Sequence, residues 1–454
     1  MLNKLKPFII TICIFFQLVM FFSCKVGDSQ SPVLTEEQQQ LIRELNGWLF
    51  PLTASPLELT DKELSFLDQL SFAKIVALGE ATHGTREFFQ MKHRVFQYLV
   101  EHLNHKAFGF EADFAECLYL NNYVTKGEGD LLELINTKML FWTWRTEAVK
   151  ELLEWMKNYN TGKSDEEKIH YFGFDCQALT YQPDLIHTYL QPLLPTLWET
   201  ASPILSQVQD FSEDDYIGLS EEDYNTIKTQ LASLEDQLTA NKDQLVANSS
   251  LKEYEICKQL FRTFGQAFIV RYTHYHKNNV KINWRDRFMA ENALWIADFL
   301  GEDARITLWA HDGHIAKAYR YGEKGPFGYH LHKNLGDLYQ AVGFGFSRGS
   351  FTAVGVGNLL WELTHTIIDE PNPTSVNFLF HRAFYPNFAF NLDAIPPGSA
   401  WDSWLSELRL FLLIGALYDG IPDKYYWLTD LSRDFNWIIY FDTTNASILI
   451  LPSS

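Results

Sequence analysis

Two kinds of apolar pattern alternate along this chain. Short continuous runs stand at residues 74–78 (KIVAL), 106–112 (KAFGFEA), 169–175 (IHYFGFD), 305–311 (RITLWAH), 339–346 (YQAVGFGF) and 435–442 (FNWIIYFD). Runs of this length, rich in β-branched and aromatic residues, predict buried strands. Between them, apolar residues recur three and four apart. EEQQQLIRELNGWLFPL, REFFQMKHRVFQYLVEHL, DFAECLYLNNYV, EAVKELLEWMKNYN and RDRFMAENALWIADFL read as amphipathic helices. Strands alternating with helices predict an α/β fold: a mixed, largely parallel central sheet flanked by helices.

Residues 201–280 break the alternation. They are rich in helix formers and predict a helical insertion subdomain of two or three helices, a lid over the sheet. The α/β catalytic domain then comprises residues 40–200 and 281–454. Near the C-terminus, WDSWLSELRLFLLIGALY predicts a helix, SFTAVGVGN the second strand of a hairpin, and GYHLHKNLGD (328–337) a loop or strand edge.

The first 24 residues follow another pattern. Two lysines precede an apolar run from Phe8 to Phe22, too short for a typical membrane span and fitting a secretory leader. It ends in FFSCKVGDSQSP, which resembles a bacterial lipoprotein cleavage box. Residues 1–24 are therefore expected to act as a lipoprotein signal, with Cys24 lipidated and residues 25–39 a linker. The protein would sit at the cell envelope, lipid-anchored to a membrane. Cys117, Cys176 and Cys257 lack metal-ligand spacing and read as core residues. With 454 residues, 46% hydrophobic, the chain can bury a sizeable core, and a net charge of −20 argues against a nucleic-acid partner.

Candidate chemistry gathers at strand ends. GEATHGTREFF (79–89) places Glu80 and His83 just beyond the first strand. Glu111, Asp175 and His311 end three others, and His314 lies three residues further on. In an open α/β sheet, ligands bind beyond the carboxyl ends of the strands. Several titratable groups on one rim predict a catalytic pocket. A histidine bonded to a carboxylate is a ready general base, and a second can polarise a carbonyl. The competing reading is that Glu80 and His83 merely cap the helix from Arg86.

GEATHGTREFF, FGFEADFAE, FWTWRTEAV, YFGFD, RDRFMAEN and LWAHDGHIAK together resemble the erythromycin esterase family, in order through roughly residues 75–350. The resemblance implies a metal-independent hydrolase that needs no cofactor and acts on a small-molecule ester or macrolactone. It places the water-activating base at His83, the matching carboxylates at Glu80 and Glu111, and a later histidine at His311. It further implies substrate-binding roles for Lys92 and Arg285, with Arg287 a close competitor. His314, Asp175 and Trp144 complete the expected substrate contacts, with Trp142 and Trp144 on the pocket rim.

Three rival readings remain open on the sequence. His311 and His314 with Glu80, His83 and Glu111 could hold a divalent ion in a metal-dependent hydrolase of an envelope ester. GFSRG (345–349) satisfies G-x-S-x-G and offers Ser347 as a nucleophile, but no helix pattern follows it. An aromatic content of 15% would also suit a polysaccharide-associated binding lipoprotein.

Overall fold

The apolar runs pair as expected, in one sheet. The structure, a computed structural model, describes residues 34–276, 283–318, 325–356 and 363–450. The leader with Cys24 and most of the linker lie outside them. The strands are β1 (Leu49–Pro51), β2 (Ile75–Leu78), β3 (His105–Asp113), β4 (His170–Asp175), β5 (Arg305–Trp309), β6 (Tyr339–Gly355), β7 (Leu363–Ile368), β8 (Asn387–Asn391), β9 (Arg409–Leu412), β10 (Leu417–Tyr418), β11 (Tyr426–Thr429) and β12 (Trp437–Thr444). The main sheet runs β1-β8-β12-β6-β2-β5-β3-β4, with β7 and β10 beside the end of β6. From β12 to β4 every pairing is parallel; β1, β8 and β7 pair antiparallel.

Alternation along the strands splits the core in two. Ile75, Ala77, Ile306 and Leu308 face one apolar cluster, and Val76, Leu78, Phe108 and Trp309 the other. The second is covered by α1 (Arg86–Leu103) and α2 (Glu147–Asn160). Helix α1 ends where Asn104 takes a left-handed conformation, φ 57°, which asparagine tolerates. The first cluster lies under α3 (Gln182–Leu193), α4 (Pro195–Gln209), α5 (Glu221–Ala240), α6 (Leu251–Tyr275) and α7 (Trp284–Phe299). The helical run thus begins at Gln182, ahead of residue 201, and shares one apolar cluster with the sheet. The C-terminal end of α6 reaches the strand rim, where Arg271 donates to the Gln177 carbonyl at 3.2 Å.

Three local expectations fail for identifiable reasons. Of the helix expected from residue 401, only Ala400–Leu405 is helical. Leu410–Leu412 then pair with β11, because an apolar run alone does not distinguish helix from strand. Residues 328–335 fall in a helix, Phe327–Leu335, ended by Gly336 with φ 56°. SFTAV continues β6, and the hairpin's second strand is β7. Cys117, Cys176 and Cys257 are free and buried.

Candidate active site

The sheet's parallel order sets the carboxyl ends of β2, β5, β3 and β4 side by side, and the expected residues meet there. The β2–α1 turn is shaped by two close approaches. A Cβ on Gly79 would lie 1.8 Å from Asp312 Oδ1, and one on Gly84 2.0 Å from the Thr352 carbonyl oxygen. Only glycine fits at either point. Thr85 occupies the N-cap of α1 with no side-chain cap bond. Glu80 and His83 therefore do not cap the helix.

Glu80 is fully buried. Its Oε1 accepts from His83 Nδ1 at 2.5 Å. Its Oε2 accepts from Lys92 Nζ at 2.5 Å and from Trp309 Nε1 at 2.7 Å. Burial raises the carboxyl pKa, but Lys92 and His83 outweigh it and hold Glu80 below the ordinary range. Burial also lowers Lys92, to about 8, against the pull of Glu80. The ammonium stands 4.2 Å from the centre of the Trp309 ring, whose face favours a cation.

A second network sits on the other strands. Arg285 Nη2 donates to Glu111 Oε1 and to Asp175 Oδ2, each at 2.7 Å. Glu111 Oε2 accepts the backbone N–H of His311 at 2.9 Å. Burial pushes Glu111 up, but His314, Arg285 and His83 outweigh it and leave it well below the usual range. His314 Nδ1 donates to buried Asp286 at 2.6 Å, and its Nε2 faces Glu111 Oε1 at 3.3 Å. Burial opposes a charge on His314, yet Asp286 and Glu111 prevail and raise its pKa.

His311 lies between the two networks. Its ring centre is 5.2 Å from that of His83. Nδ1 accepts the Gly313 N–H at 3.1 Å, which assigns the proton of the neutral ring to Nε2. Burial, with His83 and His314 nearby, lowers the pKa to about 3, so the ring is neutral at pH 7. Its Nε2 has no hydrogen-bond partner among the described residues. One imidazole is thus backed by a carboxylate, and the other is a neutral ring beside it with a buried, unpartnered Nε2–H.

Three expected substrate contacts are corrected. Lys92 is fully buried beneath Glu80, so it positions that carboxylate and cannot reach a ligand. Trp144 is 1% exposed and packs on Phe89, Phe110 and Trp309, in the core below the site rather than on its rim. Asp175 is likewise buried and serves Arg285. Arg287 pairs with Glu291 on the surface, which leaves Arg285 as the site cation. Asp286 and Trp309 also belong to the site, and both lie inside motifs that carry the resemblance, RDRFMAEN and LWAHDGHIAK.

Ser347 lies inside β6, fully buried. Its hydroxyl donates to the Asn377 carbonyl at 2.7 Å and accepts from Tyr440 at 2.6 Å. Neither partner is a base. Ser347→Ala is expected to leave ester turnover at the wild-type level while costing ~1–3 kcal/mol of stability. Steady-state kinetics beside a thermal melt check both halves.

The sequence profile described as erythromycin esterase matches residues 100–444, and the chain belongs to that family of hydrolases. Erythromycin esterase type II of Escherichia coli is 23% identical over 383 residues, covering 77% of this chain and 88% of its own. Putative hydrolase YbfO of Bacillus subtilis (strain 168) is 28% identical over 294 residues, 59% of this chain and 61% of that protein. A solved mutant of erythromycin esterase EreC, in its open conformation, shares the fold with a TM-score of 0.63 at 18% identity, over 87% of this chain and 97% of that one.

Proposed function

We propose that this chain hydrolyses an ester or macrolactone with a water molecule that His83 activates, and that no metal ion or cofactor takes part. The observation that carries the reading is the contact of His83 Nδ1 with Glu80 at 2.5 Å. It places the imidazole proton on Nδ1 and leaves Nε2 as the acceptor. Glu80 cannot swing away, because Lys92 and Trp309 hold its other oxygen. As water attacks the carbonyl carbon, His83 Nε2 takes its proton, and Glu80 balances the imidazolium. The Nε2–H of His311 donates to the carbonyl oxygen as it gains charge. When the tetrahedral species collapses, His83 returns the proton to the departing alkoxide. The products are an acid and an alcohol.

Supporting the metal-free reading, Glu80 and Glu111 already face a cation each, Lys92 and Arg285. The test is a panel of aryl esters and macrolactones, assayed with and without chelator. Hydrolysis that persists in chelator is expected. Loss in chelator, with return on adding zinc or manganese, would overturn the metal-free mechanism.

A further inference from the structure

A backbone strap crosses the catalytic histidines. It joins β9 to β10 through residues 413–416. Ile414 N donates to the Ala81 carbonyl at 2.7 Å, and His83 N donates to the Gly415 carbonyl at 3.3 Å. Val354 N, on β6, donates to the Ala416 carbonyl at 2.9 Å. The strap is thus pinned both to the β2–α1 turn and to β6, with Ile414 buried in the core. It has little freedom to move aside.

Gly415 lies at its middle with φ 74°, a left-handed conformation. A Cβ built there would lie 3.9 Å from His311 Nε2 and 4.0 Å from His83 Cδ2. Apart from its two chain neighbours, no other described residue has an atom within 4 Å of that point. The missing side chain therefore points at the two imidazoles, at contact distance from each. His311 Nε2, buried and without a hydrogen-bond partner among the described residues, is one of the two atoms nearest that point.

We propose that Gly415 is a specificity-determining residue: its bare backbone leaves, between His83 and His311, the room taken by the group that carries the scissile carbonyl. The proposal rests on the ester-hydrolysis reading above. A methyl group at residue 415 would stand in van der Waals contact with both rings. It would crowd a carbonyl whose neighbouring carbon is branched far more than one bearing a single methyl.

The test compares wild type, Gly415→Ala and Gly398→Ala in the full-length chain. Gly398 has φ 79° with open space around its Cβ position, so it reproduces the backbone strain away from the site. One probe pair is p-nitrophenyl acetate and p-nitrophenyl trimethylacetate. Gly415→Ala is expected to lose about tenfold more kcat/KM on the hindered ester than on the acetate. Gly398→Ala should keep the wild-type ratio. A second probe needs no turnover: diethyl pyrocarbonate, whose carbonyl is attacked by a neutral imidazole nitrogen, forming N-carbethoxyhistidine and expelling ethyl carbonate. Carbethoxylation of His83, read by peptide mass spectrometry, should slow about tenfold in Gly415→Ala, while exposed His102 reacts unchanged. An unchanged ester ratio, or equal His83 rates in all three proteins, would overturn the proposal. Failure of the ester reading shows separately, as a wild type inert towards every ester, and the His83 rates then still decide the role of Gly415.

Discussion

His83→Ala is expected to lower kcat by about 10²–10⁴ on any ester the wild type cleaves, with KM little changed. The general base acts only as the water loses its proton, so its loss falls on the transition state and spares ground-state binding. The fold should survive. Glu80 keeps its bonds to Lys92 and Trp309, and the His83 side chain is 15% exposed, so no deep cavity opens. Steady-state kinetics with a thermal melt separate the effects. Full activity in a folded variant would reduce GEATHG to a structural turn. Glu80→Gln is a poorer probe, because it strands the fully buried ammonium of Lys92 and confounds catalysis with stability.

The sequence made the rim legible because its logic is local. A strand that ends in a titratable residue places it at the carboxyl edge of a parallel sheet, whatever its neighbours are. Glu80, His83, Glu111, Asp175, His311 and His314 were found that way, and they form two connected networks. What escaped depends on tertiary packing. Lys92 lies twelve residues beyond Glu80 on a helix, and only the burial of both ends reveals it as a counter-ion rather than a ligand contact. Trp144 sits within a quoted motif, yet its face meets Phe89 and Trp309, not the pocket. Gly415 reaches the site from a strap more than a hundred residues past His311, inside an apolar run that reads as a helix. No local pattern marks a glycine whose purpose is the space beside another segment's histidines.

The largest stability effect is expected at Lys92. Its ammonium and the Glu80 carboxylate are both fully buried, 2.5 Å apart. Removing one partner of such a pair leaves an uncompensated charge without water to solvate it. Lys92→Met preserves the length of the apolar stem, so packing against Phe89, Trp309 and Phe344 is largely kept and the electrostatic part dominates the loss. The single variant should lose ~3–5 kcal/mol in denaturant unfolding. Lys92→Met combined with Glu80→Gln should recover more than half, because the second change removes the stranded charge. Burial holds the folded pKa of Lys92 at about 8, below the ordinary 10.5. The unfolded chain therefore binds that proton more tightly, so raising pH through this window favours the folded state of the wild type. Lys92→Met lacks that contribution. A loss below ~1 kcal/mol would be the signature of a solvent-screened pair and would contradict the buried one described here. Because Glu80 orients His83, the same variant should also lose turnover, and the double variant that regains stability should not regain it.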